Sequence, residues 1–133
     1  MNPSSSPDKQ LPLTPAVFHI LLALVGSERH GYGIMQEVSA ITAGALRLGP
    51  GTLYGTLKRL LAAGLVAESG ERPDPGLDDE RRRYYRLTEL GQRVAEEEAR
   101  RLERLVGAAR SRLLLGPGGV RSIERGSDEG GRA

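Results

Sequence analysis

Few side chains in this chain are of types and spacings that do chemistry. There is no cysteine, which removes thiol catalysis and disulfides. The two histidines, His19 and His30, have no paired nucleophile, and no carboxylate stands at a ligand spacing from them. The glycines form no phosphate-cradling signature. Catalysis is therefore not expected, and neither is a metal or a cofactor. What remains is a set of cations and hydroxyls around one short apolar period. Between Gly44 and Val66 the chain has no acid, while Arg47, Lys58 and Arg59 give that stretch a charge of +3. Within it, Leu53, Leu57 and Leu60/Leu61 repeat at helical spacing. The opposite face then carries Thr52, Tyr54, Lys58 and Arg59, groups that reach phosphates and base edges. The whole-chain charge is only +2, so it is the local excess that points to nucleic acid.

The surrounding elements must hold that face outward. The helix opens at Gly49 and stops at Gly64, where the left-handed C′ conformation carries no penalty. Upstream, Thr14-Pro15 is an N-cap followed by a first-turn proline. It begins a helix to about Val25, with Val17, Ile20, Leu21, Leu24 and Val25 as the buried stripe. Residues 26–30 read as a connection. A second helix starts near Gly31 and uses Tyr32, Ile34, Met35, Val38 and Ile41. Ala45–Leu48 reads as a small edge strand with Arg47 outward. After the third helix, Leu65–Ser69 and Arg82–Leu87 alternate as strands, with Tyr85 and Leu87 on one face. The intervening loop is rich in proline, glycine and acid. Helix, helix, helix, hairpin is the order of a winged helix-turn-helix. The fold class expected is mainly α with a small β-hairpin, followed by a long C-terminal helix.

That last helix starts at the Thr88 cap and runs to about Leu115. Ala95, Ala99, Leu102, Val106, Ala109 and Leu113 step by four and three, a heptad seam flanked by charges of both signs. Leu90, Val94 and Leu105 lie beside the seam. A narrow seam on so small a domain predicts a homodimer, the alternative being a helix that folds back across its own domain. Residues 1–12 and 116–133 lack apolar periodicity and are expected to be disordered or flexible. The domain division expected is 1–12, 13–87 for the DNA-binding domain, 88–115 for the dimerisation helix, and 116–133. No apolar run reaches the ~20 residues of a membrane span. The opening residues lack a signal peptide's apolar core, so the cytoplasm is the expected compartment and no membrane partner is expected.

These motifs together resemble the PadR-like family of transcriptional regulators. The similarity covers roughly Leu13 to Leu115, through HGYGI at 30–34, GTLYGTLKRL at 51–60, GLV at 64–66 and RRYYRLTELG at 82–91. It implies a winged helix-turn-helix repressor that dimerises through its C-terminal helix. It also implies a double-stranded, palindromic operator and release by a small-molecule effector or stress signal. Thr52, Tyr54, Lys58 and Arg59 fall on the family's recognition helix. Tyr32 and Gly33 fall where helix two abuts the DNA backbone, and Arg81, Arg82 and Arg83 fall at the return of the wing. The chain departs from the family in Gly55, where proline is common, and in an acidic wing tip. No aromatic residue lies between Thr88 and Leu115, so an aromatic stacking pocket for an effector is not expected. The competing reading is a helical protein-interaction module that binds no nucleic acid.

Overall fold

The computed structural model describes residues 11–73 and 81–112, with Pro73 and Arg81 described by their backbone alone. The chain divides after Glu98 into two units. The first holds three helices and a small sheet: α1 (Pro15–Ala23), β1 (Arg29–His30), α2 (Gly31–Ile41), α3 (Pro50–Ala62), β2 (Val66–Pro73), β3 (Arg81–Leu87) and the start of α4 (Glu89–Ser111). This is the winged helix-turn-helix arrangement with a long C-terminal helix.

Local chemistry accounts for most boundaries. Thr14 caps α1 by accepting the Val17 N–H through its hydroxyl, and Pro15 follows at the first helical position. α1 ends at Ala23. Leu24 and Val25 then bond to carbonyls three residues back, at 3.0 and 3.2 Å, and this tight turn carries Val25 outward. Val25 is consequently 44% exposed and not part of the buried stripe, which consists of Ile20, Leu21, Ala23 and Leu24 with Val17 partly buried against the core. In α2, Ile34 and Val38 are buried while Ile41, at the last turn, is exposed.

The link after α2 is not a strand. Thr42 Oγ1 accepts the Leu46 N–H at 3.0 Å, and Gly44 N–H donates to the Ser39 carbonyl at 2.7 Å. Bonds of this kind spend the link's donors locally rather than on a sheet. The edge strand lies in the supposed connection instead. Arg29 pairs with Tyr85 and His30 with Tyr84, so the sheet is three-stranded in the order β1-β3-β2. A two-residue strand has no periodicity to read, which is why the sequence hid it.

α3 ends as its glycine requires. Gly64 takes φ +78, and Leu65 N–H reaches back to the Leu60 carbonyl at 3.0 Å. β2 then pairs with β3 from Val66↔Leu87 to Pro73↔Arg81, with a bulge between Glu68 and Gly70. The bulge lets the ladder continue past Ser69, where the expected strand stopped. The acidic tip, with Asp74, Asp78, Asp79 and Glu80, lies outside the described residues. So do residues 1–10, Leu113 and the C-terminal tail, which take in the segments expected to be disordered or flexible apart from Leu11 and Pro12. Leu11 and Leu13 are described, and both pack against the core.

Thr88 joins wing and last helix through three bonds. Its N–H donates to the Leu65 carbonyl (3.1 Å), its hydroxyl donates to the Gly64 carbonyl (2.6 Å), and its Oγ1 accepts the Gly91 N–H (3.0 Å). The first turns of α4 belong to the core: Gly91, Val94, Ala95 and Glu98 are buried. This corrects two expectations. Ala95, at 5% exposure, packs in its own domain and is not open to a dimer seam. Glu98, expected on a charged flank, is 2% exposed and accepts the Leu13 N–H at 3.4 Å. In the second unit the helix continues to Ser111, with Ala99, Leu105 and Val106 exposed and Leu102 and Ala109 half-buried.

Candidate nucleic-acid interface

The outward face of α3 is set by the opposite face. Leu53, Leu57 and Leu60 are each at most 4% exposed, which fixes the helix's rotation. Thr52, Lys58 and Arg59 are then exposed, as expected. Arg59 Nη2 donates to Thr56 Oγ1 at 3.3 Å, and Thr56 is itself buried, so one nitrogen of the guanidinium is tethered to its own helix. Arg47 is exposed on the link that leads into α3.

Tyr54 is half exposed but anchored at its tip. A Cβ placed on Gly31 would fall far inside contact distance of the Tyr54 hydroxyl, 2.6 Å from Cζ and 2.9 Å from Cε1. The phenol thus lies across the first residue of α2, and only glycine leaves room for it. Tyr54 also lies near enough to Tyr85 to affect it. Burial, then Glu68 and Tyr54, push the Tyr85 phenol above its ordinary 10.0, with Arg83 opposing.

At the start of α2, His30 is the N-cap, and its Nδ1 accepts the Gly33 N–H at 2.9 Å. Gly33's amide is therefore already committed and is not a free donor for a backbone phosphate. Tyr32 is 52% exposed. The Arg82 guanidinium, from β3, lies 5.6 Å from the Tyr32 ring centroid and within 3.1–3.3 Å of the His30 ring nitrogens. Chain-distant Tyr32 and Arg82 thus form one patch, with His30 bridging them and packing edge-on to Tyr84. His30 was missed as a positioning residue. The available signal was its place directly before an apolar helical period, where any side-chain acceptor is a cap candidate.

Two other wing arginines, Arg72 and Arg83, are ion-paired. Arg83 pairs with Glu68 at 3.3 Å and Glu71 at 3.6 Å, and Arg72 pairs with Glu28 while lying 4.1 Å over the Tyr84 ring. These pairs are solvent-exposed, so exchanging a carboxylate for a phosphate costs little. The side chain of Arg81 lies outside the described residues. Among the described residues no group of three or more His, Asp or Glu could hold a metal, and no helix is long and apolar enough to cross a membrane.

Comparison with known proteins places this arrangement. A relative named as a transcriptional regulator, from Mycobacterium tuberculosis, is 41% identical over 87 residues, covering 65% of this chain and 75% of that protein. An uncharacterized 37.1 kDa protein in a Streptomyces fradiae transposon is 38% identical over 88 residues, but the chain spans only 23% of its length. Among solved structures, a PadR family regulator from Clostridium difficile superposes with a TM-score of 0.62 at 22% identity, covering 75% of this chain and 99% of that one. Bacillus subtilis PadR, solved in complex with operator DNA, matches at a TM-score of 0.56 and 20% identity, over 65% of this chain and 47% of that one. The structural likenesses speak for the fold. A family model, the transcriptional regulator PadR-like family, matches residues 20–97. That span holds α2, α3 and the whole wing, and the chain belongs to the PadR-like family of transcriptional regulators, which are not enzymes.

Proposed function

We propose that the chain is a cytoplasmic, homodimeric repressor that binds a palindromic DNA operator. The observation that carries this reading is the rotation of α3, which buries three leucines and leaves Thr52, Lys58 and Arg59 outward on a stretch free of acids. Two copies would place two such helices in successive major grooves, with half-sites about one helical turn apart. Tyr32, Arg47, Arg82 and Arg83 would serve the phosphate backbone, which fixes register, while α3 reads base edges. Release would follow from a small molecule or stress signal. Any effector pocket on α4 would have to be lined by Leu, Val and Ala.

The test is selection of an operator from random duplexes, followed by anisotropy titration at two salt concentrations. Lys58→Ala is expected to weaken binding to every duplex and to lower the log–log salt slope by about 0.9, the value of one neutralised phosphate. Unchanged affinity at both concentrations would count against this docking. No binding to non-specific duplex at low salt, up to about 10⁻⁴ M, would favour the protein-interaction module instead.

Dimerisation would use the part of the α4 seam outside the core, Ala99, Leu102, Val106 and Ala109, without Ala95; Leu113, the last position of the expected seam, lies outside the described residues. Val106 is 42% exposed in the single chain, so Val106→Glu leaves the fold of one copy undisturbed while placing a charge in the seam. Light scattering is expected to report two copies for the wild type and one for this variant at micromolar concentration. A wild type that scatters as one copy would sink the dimer.

A further inference from the structure

Beside the reading helix lies a cleft of about 320 Å³, lined by Tyr32, Met35, Gln36, Ser39, Arg47 and Leu48. It runs along the outer face of α2 and is closed on one side by the link into α3. Gln36 and Ser39 have no part in the interface described so far. Neither their side chains nor those of Tyr32 and Arg47 form a hydrogen bond or ion pair among the described residues. Four polar heads thus converge with their donors unspent: a phenol, an amide, a hydroxyl and a guanidinium. No acid lines the cleft. The α2 acid, Glu37, is turned to Arg29 at 3.6 Å. Met35 and Leu48 supply an apolar wall, with Leu48 only 9% exposed.

We propose that this cleft seats one sugar–phosphate unit of the duplex backbone, with Gln36 and Ser39 as additional phosphate ligands beside Tyr32 and Arg47. The proposal rests on the operator-binding reading above and adds the contact that sets the register of α3. Three features select the occupant. Unspent donors and no carboxylate select an anion. The volume is several times that of a lone oxyanion, given the ~30 Å³ share of a single water, and the apolar wall suits a deoxyribose. The lining also includes Leu48, directly before the Gly49 cap of α3, so the cleft lies next to the residues that lead into that helix.

Duplex titration of the full chain tests this. Gln36→Ala/Ser39→Ala is expected to bind every duplex, operator or not, about tenfold or more weakly, because bonds to a charged acceptor are lost. Its salt slope should stay that of the wild type, since neither residue neutralises a phosphate. Arg47→Ala should lower the slope by about one. Ser39→Glu, which sets a carboxylate against the phosphate, should lose more affinity than Ser39→Ala. The double variant should melt with the wild type, since the lost side chains hold nothing in the fold. If it binds duplex as the wild type does while Lys58→Ala is weakened, the cleft proposal fails and the operator reading survives. If both bind as the wild type does, both readings fail. Wild-type protein is also titrated with inorganic phosphate and with hexanoate, following tyrosine fluorescence. Saturation by either below about 1 mM, lost in the double variant, would assign the cleft to a free anion and overturn the proposal.

Discussion

Gly91→Ala is expected to destabilise the first unit by about 2–4 kcal/mol, because the new methyl group would meet backbone that has nowhere to go. A Cβ on Gly91 falls far inside contact distance of the Leu65 carbonyl oxygen, 3.0 Å from its carbon and 3.3 Å from Leu87 Cδ2. That same carbonyl accepts the Thr88 N–H, and Thr88 Oγ1 accepts the Gly91 N–H. Relieving the clash therefore disturbs the junction of wing and last helix. Opposing it is the better helix propensity of alanine, at most ~1 kcal/mol. For a domain of this size the net corresponds to a fall in Tm of roughly 10–20 °C. Gly107→Ala is the control in the same helix. Nothing lies within 4 Å of its Cβ position, so it should gain about 0.5–1 kcal/mol. Urea unfolding of both variants reads the two signs together. A Gly91→Ala protein as stable as the wild type would mean that Gly91 does not lie against the Leu65 carbonyl.

The second large effect is a coupling between Gly31 and Tyr54. Gly31→Ala drives a methyl group into the Tyr54 phenol, which is a side chain and can swing away. The expected cost is therefore smaller, about 1–2 kcal/mol. Its signature is dependence on the tyrosine. In a Tyr54→Ala background the same substitution should be neutral or slightly stabilising, giving an interaction energy within the ~0.5–3 kcal/mol typical of touching residues. Equal costs in the two backgrounds would show that the phenol does not lie on Gly31. Operator binding by the four proteins separates the roles of Tyr54. If Gly31→Ala keeps its melting temperature near wild type but loses sequence preference, the phenol's position is what α3 needs for reading. If preference survives in every variant, Tyr54 is a wedge between helices and not a reader.

The two glycines show what a motif conceals. HGYGI and RRYYRLTELG were visible as strings, and their order carried the family resemblance. The reason each contains a glycine at 31 and at 91 lies in atoms contributed by Tyr54 and Leu65, far along the chain. Similarly, Thr88 was legible as a cap of α4. That its hydroxyl also donates to the carbonyl of Gly64 was not, because the two residues are neighbours only after the hairpin has closed.

The sequence by itself determined the features that depend on residues within about one helical turn of each other. These include the caps at Thr14 and Thr88, the stop at Gly64, the leucine period that rotates α3, and the alternation that buries Tyr85. Such signals are local because helix periodicity and capping bonds span only three or four positions. Tertiary structure alone decided the rest. It made Arg29–His30 a strand by bringing Tyr84 and Tyr85 beside it, and drew Ala95 and Glu98 into the core. It also set the wing's Arg82 against His30 and Tyr32, and gathered Gln36, Ser39 and Arg47 around one cleft. Each of these needs a partner brought close by packing the buried face of a different element. A chain read four residues at a time carries no record of which face that will be.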